Sequence, residues 1–407
     1  MNRTGGRPAQ WHTVDVPEHL RSVRPADIER GIYFLDERIR DFTLTADDGR
    51  LTAITIALSD DADPGAADEV REKLIRSLDR QAGNRRRIPQ REVWTTDVRA
   101  AGIEPDMYGQ LERLGSVFRA GEGQVAIGYP MTKLVEYFDQ RFRAMATGEG
   151  ADEYVYPTMI PTSVIARCGY FDSFPNFVFF VNRLRVDLDS YDAFTERQRA
   201  GADIAELVGS HYEPTAPYCL PPAMCYHVYD HLAGMRLADG ARRLVTCRGK
   251  SFRHESRYER GLERLWDFSM REVVFFGDLD FAKANREKWS EATRAVLTEL
   301  GLEASCGVAN DPFFASEGTE DKVAVQILME SKYEVRMRVS DVDSIAVASF
   351  NYVGDFFSRR FDLTIGDGVP VRSGCAAFGL ERLAFAFLCQ YGLDESAWPT
   401  PVREFDQ

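Results

Sequence analysis

The 407-residue chain is poor in long apolar runs and in basic charge. No uninterrupted hydrophobic stretch reaches the roughly 18 residues that a membrane-spanning helix requires, and the first letters, MNRTGGRPAQWH, lack the apolar core of a signal peptide. Lys and Arg number 50 against 64 Asp and Glu, and the resulting net charge of −14 argues against a broad nucleic-acid-binding surface. We therefore expect a soluble cytoplasmic protein that makes no membrane contact.

Closely spaced cysteine pairs are also missing. The seven cysteines are spread along the chain without a CxxC motif, which argues against a disulfide framework. Free cysteine is usually a small buried hydrophobe, and the alternative is that two or three of the seven are metal ligands. Neither a Walker motif nor a GxGxxG motif is present, so the sequence offers no conventional phosphate-binding loop.

Residues 1–120 are expected to form a small N-terminal α+β extension. Two alternating runs between residues 32 and 58 flank Asp47-Asp48-Gly49, which is typical of a hairpin turn. Residues 67–79 carry apolar side chains at helical spacing. We find no constellation of catalytic residues in this part of the chain.

Residues 121–407 combine helices with successive strands. The patterns predict a polar helical insertion over 189–209, an amphipathic helix over 281–300, strands within 323–364 and a buried helix over 377–390. Strands that follow one another with helices at their edges indicate an α+β domain around an antiparallel sheet. Hydrophobic residues make up 44% of the chain, which is enough for a sizeable core.

The most informative segment is a candidate hairpin over residues 252–277. Alternation on both sides of a glycine-containing turn predicts two antiparallel strands, on which Arg253 and Glu255 would project from one face. Further candidates in the segment are Arg264, Phe268 and Glu272. Arginine forms forked hydrogen bonds to phosphate and a phenyl ring can stack on a base, so the hairpin suits a nucleotide. A charged surface hairpin is the alternative.

Five motifs occur in order along the chain: EYVYPTMIPTSVIARCGYFDSFPNF, CLPPAMCYH, FRHES, SFNYVGDFFSRRF and SGCAAFGLERL. Over about residues 125–407 the pattern resembles the three signature motifs of class II aminoacyl-tRNA synthetases. Together the five motifs resemble the amino acid:[carrier protein] ligases, which are similar to the catalytic core of seryl-tRNA synthetases. The resemblance implies an antiparallel sheet flanked by helices, formation of an aminoacyl adenylate from ATP, and transfer to the phosphopantetheine thiol of a holo carrier protein.

The resemblance also implies roles for individual residues. Arg253 would hold the α-phosphate and the reacting carboxylate, while Arg264 and Arg382 would clamp the outer phosphates. Phe268 would stack on adenine and Glu272 would lie near the adenine edge. The alternatives are an ion pair with the preceding glutamate for Arg382 and a core position for Phe268.

The same family places zinc on cysteine, glutamate and cysteine, which correspond here to Cys225, Glu255 and Cys375. Three such ligands leave one position for the substrate α-amino group, and this would select a free amine over a hydroxy acid. The rival ligands in the sequence are Cys219, His227 and His254.

Ser349 and Asn351 alternate onto one strand face in the segment that resembles the synthetase substrate and magnesium site. We expect both to line the pocket. The Mg²⁺ ligands are left open, because Ala346 stands where the seryl enzymes have a metal-binding glutamate. Mutual ion pairing is the alternative for three charged residues nearby: Asp355, Arg359 and Arg360.

The implied partners are a small amino acid, with glycine or alanine expected, and a second copy of the chain bound through the segment around Pro157. Carrier proteins are usually acidic, so Arg197 and Arg199 of the 189–209 insertion are candidates for docking, with a solvated helix face as the alternative. No tRNA is expected, because the 67–79 helix is too short for a long coiled-coil arm. The competing hypotheses are a seryl-type tRNA synthetase and a catalytically silent synthetase paralogue.

Overall fold

The computed structural model covers most of the chain. It describes residues 10–23, 38–59, 65–83, 91–100, 102–104, 106–172, 174–212, 216–254, 261–309 and 331–406, with positions 28, 32, 35, 36 and 63. The chain divides into two compact units, of which the larger begins at residue 90. None of the helices in these ranges has the length and hydrophobicity required to cross a membrane.

The smaller unit contains a three-stranded antiparallel sheet and one helix. Its strands are β1 (Gln10–Asp15), β2 (Ile39–Asp47) and β3 (Arg50–Leu58), in the order β1-β3-β2, and its helix is α1 (Ala66–Gly83). The hairpin predicted around Asp47-Asp48-Gly49 is confirmed, since Asp48 and Gly49 adopt φ values of 51° and 74° in a tight turn between β2 and β3. Val70 and Leu74 of α1 pack in the core of this unit with Ile54 of the sheet.

The larger unit contains the remaining strands and helices. Its strands are β4 (Glu92–Thr95), β5 (Val117–Gly121), β6 (Gln124–Ile127), β7 (Asp152–Tyr154), β8 (Ile160–Pro161), β9 (Phe180–Val181), β10 (Tyr218–Cys219), β11 (Arg236–Leu237), β12 (Arg243–Phe252), β13 (Asp267–Gly277), β14 (Ala304–Val308), β15 (Lys332–Arg338), β16 (Ser344–Gly354), β17 (Thr364–Ile365), β18 (Val369–Pro370) and β19 (Arg372–Gly379). Its helices are α2 (Met107–Arg113), α3 (Met131–Gly148), α4 (Thr162–Arg167), α5 (Leu188–Arg199), α6 (Ile204–His211), α7 (Cys225–His231), α8 (Leu279–Glu299), α9 (Phe356–Phe361), α10 (Leu380–Tyr391) and α11 (Thr400–Arg403).

An eight-stranded sheet organises this unit, in the order β4-β14-β15-β16-β19-β13-β12-β7. All neighbouring strands are antiparallel except β12 and β7, so the predicted antiparallel sheet flanked by helices is confirmed. The division between the units lies near residue 90 rather than at the predicted residue 120. The physical reason is that β4 hydrogen-bonds to β14 and thereby joins residues 92–95 to the large sheet.

The two faces of the sheet carry different side chains. Val273 and Phe275 of β13 belong to a core cluster with helices α3, α8 and α10, whereas Val274 and Phe276 belong to a second cluster with α7 and α9. This alternation follows from the two-residue repeat of a strand. The second face is the one that carries Cys375.

Two local expectations differ from the structure, and a third is not tested by it. The strand β12 ends at Phe252, so Arg253 follows the strand instead of lying within it. Arg359 and Arg360 lie in helix α9, although the pattern predicted a strand there. The strand expected over 323–330 lies outside the described residues.

Candidate metal centre and nucleotide site

Three metal-ligating side chains from separate elements converge on one face of the sheet. In the part of the chain that the structure describes, the Cys225 and Cys375 sulfurs and a Glu272 carboxylate oxygen all lie within 4.8 Å of one another. Each of the three residues is at most 4% exposed. The arrangement joins residues 225 and 375, which are far apart in sequence, in one buried cluster.

The strand register explains why these side chains meet. Cys375 of β19 lies opposite Val274 of β13, and Glu272 is two residues before Val274, so both side chains project from the same face. Cys225 begins helix α7, which packs against β13 over that face. The helix is held there by the backbone N–H of Met224, which donates to Glu272 Oε1 at 3.0 Å.

Burial dominates the electrostatics of the cluster. Desolvation raises the pKa of Glu272 from 4.5 to about 7, although hydrogen bonds from Met224 and Cys225 and the nearby Arg253 charge oppose the rise. A hydrogen bond with Cys375, together with burial and the nearby Glu272, raises the pKa of the Cys225 thiol well above its ordinary value. The cluster therefore retains protons when no cation is bound, and a cation would displace them.

The donor set fits a thiophilic divalent cation. Glu272 Oε2 is buried and has no hydrogen-bond partner among the described residues, and a buried acceptor of this kind requires a donor or a cation. Two thiols and one carboxylate are a zinc-type ligand set, and three protein ligands leave one coordination position open. These side chains can thus bind a metal ion and still admit a substrate atom.

The predicted ligands are placed as follows. Cys225 and Cys375 lie in the cluster, while Glu255 lies outside the described residues. Glu272, for which the sequence suggested a position near the adenine edge, supplies the carboxylate instead. Among the described residues the rival ligands are not part of the cluster: Cys219 donates to the Ile160 carbonyl at 3.8 Å, and the His254 ring packs 4.6 Å from that of Trp266.

His227 is also separate from the cluster. Burial lowers the pKa of its imidazole to about 4, its ring stacks on Tyr156 at 5.4 Å, and its Nε2 has no partner among the described residues.

Arg253 and Phe268 lie at the other end of the same strand pair. The Arg253 guanidinium is 5.4 Å from the centre of the Phe268 ring, and its Nε donates to the Pro222 carbonyl at 3.0 Å. Phe268 is partly buried and packs against the core, so the alternative of core packing is seen in part. Phe268 and Glu272 are four strand residues apart, which corresponds to about 13 Å.

The other two candidate phosphate ligands occupy separate elements. Arg264 lies between a 3₁₀ turn and β13, and is partly buried. Arg382 lies in the first turn of α10, where its Nη1 donates to the Ala346 carbonyl at 3.3 Å. The alternative for Arg382 was an ion pair with Glu381. The Glu381 carboxylate instead accepts the Ser269 backbone N–H at 2.7 Å.

Ser349 and Asn351 lie on β16 beside β19, and the structure brings Asn351 to the metal-ligand cluster. Asn351 pairs directly with Cys375, and its Nδ2 donates to the Cys375 sulfur at 3.5 Å and to Ser349 Oγ at 3.3 Å. A side chain at Gly374 is excluded here, since its Cβ would lie 2.2 Å from the Asn351 backbone oxygen. Close approach of the two strands thus explains the glycine before Cys375.

The charged residues after β16 form local contacts. Asp355 pairs with Arg359 at 2.9 Å and also with Arg372. Arg360 instead stacks on Phe356, with its guanidinium carbon 3.6 Å from the ring centre. The alternative of mutual pairing is thus seen for Asp355 and Arg359.

Sequence reasoning did not place Glu272 in the cluster. A signal was available: Glu272 stands inside the run DFSMREVVFFG, where a strand with both faces covered buries nearly every side chain. A carboxylate at such a position requires a partner or a cation. The register that brings it to Cys225 and Cys375 is a long-range property that the run itself does not contain.

Solved structures define the class of the fold. The chain is similar to the seryl-tRNA synthetase of M. kandleri, solved in complex with A. aeolicus tRNASec, with a TM-score of 0.69, 23% identity, and coverage of 96% of this chain and 75% of that chain. The P. horikoshii seryl-tRNA synthetase complexed with ATP gives a TM-score of 0.57 at 12% identity, covering 84% of this chain and 81% of that one. The fold is therefore that of class II aminoacyl-tRNA synthetases.

Sequence comparisons narrow this class. Amino acid–[acyl-carrier-protein] ligase 1 of Bradyrhizobium diazoefficiens is 32% identical over 281 residues, which cover 68% of this chain and 83% of the relative. A type-2 serine–tRNA ligase of Methanococcus aeolicus is 27% identical over 315 residues, covering 75% of this chain and 60% of that protein. No protein-family model matches the chain. The chain belongs to the amino acid–[acyl-carrier-protein] ligase family.

Proposed function

We propose that this protein is a ligase that uses ATP to activate a small amino acid as an aminoacyl adenylate and transfers it to the phosphopantetheine thiol of a holo carrier protein. The observation that carries the proposal is the buried cluster of Cys225, Glu272 and Cys375 in a chain of this family. Glycine or alanine is the proposed amino acid. The place of action is proposed to be the cytoplasm.

Cys225, Glu272 and Cys375 would hold Zn²⁺. When bound, zinc supplies a Lewis-acidic position that takes a free amine, and this recognises the amino acid. Glu272 has one oxygen held by Met224 and the other without a partner among the described residues, which leaves the second oxygen for the metal. The site would favour an amine over a neutral analogue that lacks one.

Arg253 is proposed to bridge the amino acid carboxylate and the α-phosphate of ATP. No protein base is needed for this step, because the carboxylate is already the nucleophile; catalysis consists of positioning and charge neutralisation. The Pro222 contact and the packing on Phe268 fix the guanidinium at one end of the β12–β13 pair. An extended aminoacyl adenylate can bridge the distance between Phe268 and Glu272, with adenine on the phenyl ring and the amine at the cluster.

Arg264 and Arg382 are proposed to neutralise the departing pyrophosphate together with Mg²⁺. We assign no protein ligand to Mg²⁺, and Ala346 supplies none through its side chain. Transfer then proceeds by attack of the carrier thiol on the mixed anhydride, which forms the thioester and releases AMP.

Two surfaces are proposed as partner sites. The insertion forms a hairpin of α5 and α6, in which Arg197 is engaged with Glu206, while Arg199 and the apolar residues Leu188 and Ile204 are exposed. An acidic carrier would contact Arg199 and these exposed apolar side chains. A second copy of the chain would cover the segment around Pro157, where Val155 is 90% exposed.

Exchange of radiolabelled pyrophosphate into ATP, measured with a panel of small amino acids, tests the activation step. We expect exchange with glycine or alanine that is lost in Cys225→Ser and Cys375→Ser. The matched control is Cys219→Ser, a buried cysteine outside the cluster, which should retain zinc and exchange activity. Full exchange and no zinc in the two cluster variants would refute the metal role.

The second candidate is a seryl-type tRNA synthetase. The similarity of the fold to M. kandleri seryl-tRNA synthetase over 96% of this chain favours it. Charging of labelled amino acid onto total tRNA, compared with charging onto holo carrier protein, separates the two functions. ATP binding measured by calorimetry separates both from a silent paralogue, which would bind none.

A further inference from the structure

Asn351 is a polar side chain buried directly beside the cysteine–glutamate cluster. It is 3% exposed, and its backbone is paired in register with that of Cys375. Its amide nitrogen donates to the Cys375 sulfur at 3.5 Å and to Ser349 Oγ at 3.3 Å. Both amide protons therefore have acceptors, and one of these acceptors is a candidate metal ligand.

The carbonyl end of the same amide has no partner. Asn351 Oδ1 is buried and accepts no hydrogen bond from any described residue. Buried acceptors in folded proteins are nearly always satisfied, and an exception calls for a ligand or an ordered water. Because Oδ1 and Nδ2 share one carbon atom, this oxygen is held close to the Cys375 sulfur.

We propose that Asn351 is a positioning and selectivity residue: its amide N–H holds the Cys375 sulfur toward the metal, and its carbonyl oxygen accepts an N–H of the substrate amine. The inference rests on the proposed function and gives one amide two tasks at that site. Hydrogen bonds to the atoms of a metal ligand orient it and tune its donor strength. Asparagine suits both tasks, since a carboxylate cannot donate and an apolar side chain can do neither.

The first test uses zinc alone, without ATP or amino acid. Zinc affinity is measured by chelator competition in the wild type, in Asn351→Leu and in the smaller Asn351→Ala. We expect about a 10–100-fold loss of affinity in both variants. The control is Asn285→Ala, which removes another buried asparagine, one that donates to the Phe281 carbonyl at 3.0 Å on helix α8. This control should bind zinc as the wild type does.

Cobalt substitution adds a spectroscopic readout that a merely structural role would not move. Removing an N–H donor from a thiolate makes the sulfur a stronger electron donor, so the sulfur-to-cobalt charge-transfer band of Asn351→Ala should shift to lower energy. The band of Asn285→Ala should not shift. Thermal unfolding of each metal-free variant shows whether it is folded before the metal is added.

Steady-state kinetic constants test whether Asn351 contributes to recognition of the substrate amine. Asn351→Ala should raise the KM for the amino acid by about tenfold or more, because a hydrogen bond to the amine is lost, while the KM for ATP stays unchanged. Equal rises for both substrates would overturn the selectivity role. Wild-type zinc affinity and an unshifted cobalt band in the variants would overturn the positioning role. If the wild type itself binds no zinc, the proposed metal site fails rather than the role of Asn351.

Discussion

Replacing Glu272 by glutamine should stabilise the metal-free protein and destabilise the zinc-loaded protein. Burial raises the pKa of Glu272 from 4.5 to about 7, so the folded state holds this proton more tightly than the unfolded chain does. The protonated Glu272 carboxyl stabilises the folded state fully below pH 4.5, and this stabilisation is lost as the pH rises through 7. The glutamine variant carries no such dependence, and its amide oxygen can still accept the Met224 N–H.

The expected magnitude follows from the two pKa values. At pH 8 the ionised carboxylate costs the metal-free wild type about 3 kcal/mol relative to its protonated form, and at pH 5.5 the cost is about 1 kcal/mol. The advantage of Glu272→Gln in metal-free protein should therefore grow between these two pH values. Zinc reverses the order, because a ligand at about 1,000 times its Kd stabilises the wild type by about 4.1 kcal/mol and the variant has lost a ligand.

The assay is unfolding by heat or urea at pH 5.5 and pH 8, with chelator or with excess zinc. Glu381→Gln is the matched control, since Glu381 is equally buried but accepts the Ser269 N–H and lies 3.5 Å from Lys250. That change should destabilise the protein with and without metal. Two results would refute the reasoning. One is equal stability of the Glu272→Gln variant and the wild type in chelator at pH 8, and the other is an equal increase in the stability of both proteins on addition of zinc.

Three further predictions concern neighbouring positions. Gly374→Ala should unfold more easily and lose zinc, because its methyl group would lie 2.2 Å from a backbone oxygen, whereas Gly148→Ala in open space should be neutral or mildly stabilising in the same melting assay. Arg253→Lys should lose at least about 100-fold in pyrophosphate exchange, since lysine lacks the forked donor geometry, and wild-type exchange would contradict its role. Arg271→Leu should cost about 1.5–3 kcal/mol in urea unfolding, because the buried Asp139 loses its two hydrogen bonds from Arg271 and keeps only the contact with Arg248; a change below about 1 kcal/mol would show that the Arg271 pair is not needed.

Local patterns predicted the local structure well. The turn at Asp48 and Gly49 depends on residues that tolerate positive φ, and the helices α8 and α10 depend on apolar spacing, so neighbouring residues contain the necessary information. The antiparallel pairing that includes β13 was predicted for the same reason, although its partner β12 ends at Phe252 and does not contain Arg253. Where a local pattern was ambiguous, as for Arg359 in α9, the short helix was predicted as a strand.

Long-range registers could not be predicted from the sequence. Which carboxylate joins Cys225 and Cys375 depends on the pairing of β13 with β19 and on where α7 packs, and neither appears in the run around Glu272. The start of the larger unit near residue 90 depends on the pairing of β4 with β14, which are separated by about 200 residues of sequence. The structure does bring Cys225 and Cys375 close together, which only the motif resemblance, and no local pattern, had implied.

The most direct test of the central claim is intact-mass analysis of a holo carrier protein incubated with the protein, ATP, zinc and a mixture of amino acids. We expect a mass gain of one small amino acid minus water on the phosphopantetheine arm, reversed by hydroxylamine and abolished when Cys375→Ser replaces the wild type. An unmodified carrier, with labelled amino acid recovered on total tRNA in a parallel charging reaction, would contradict this expectation.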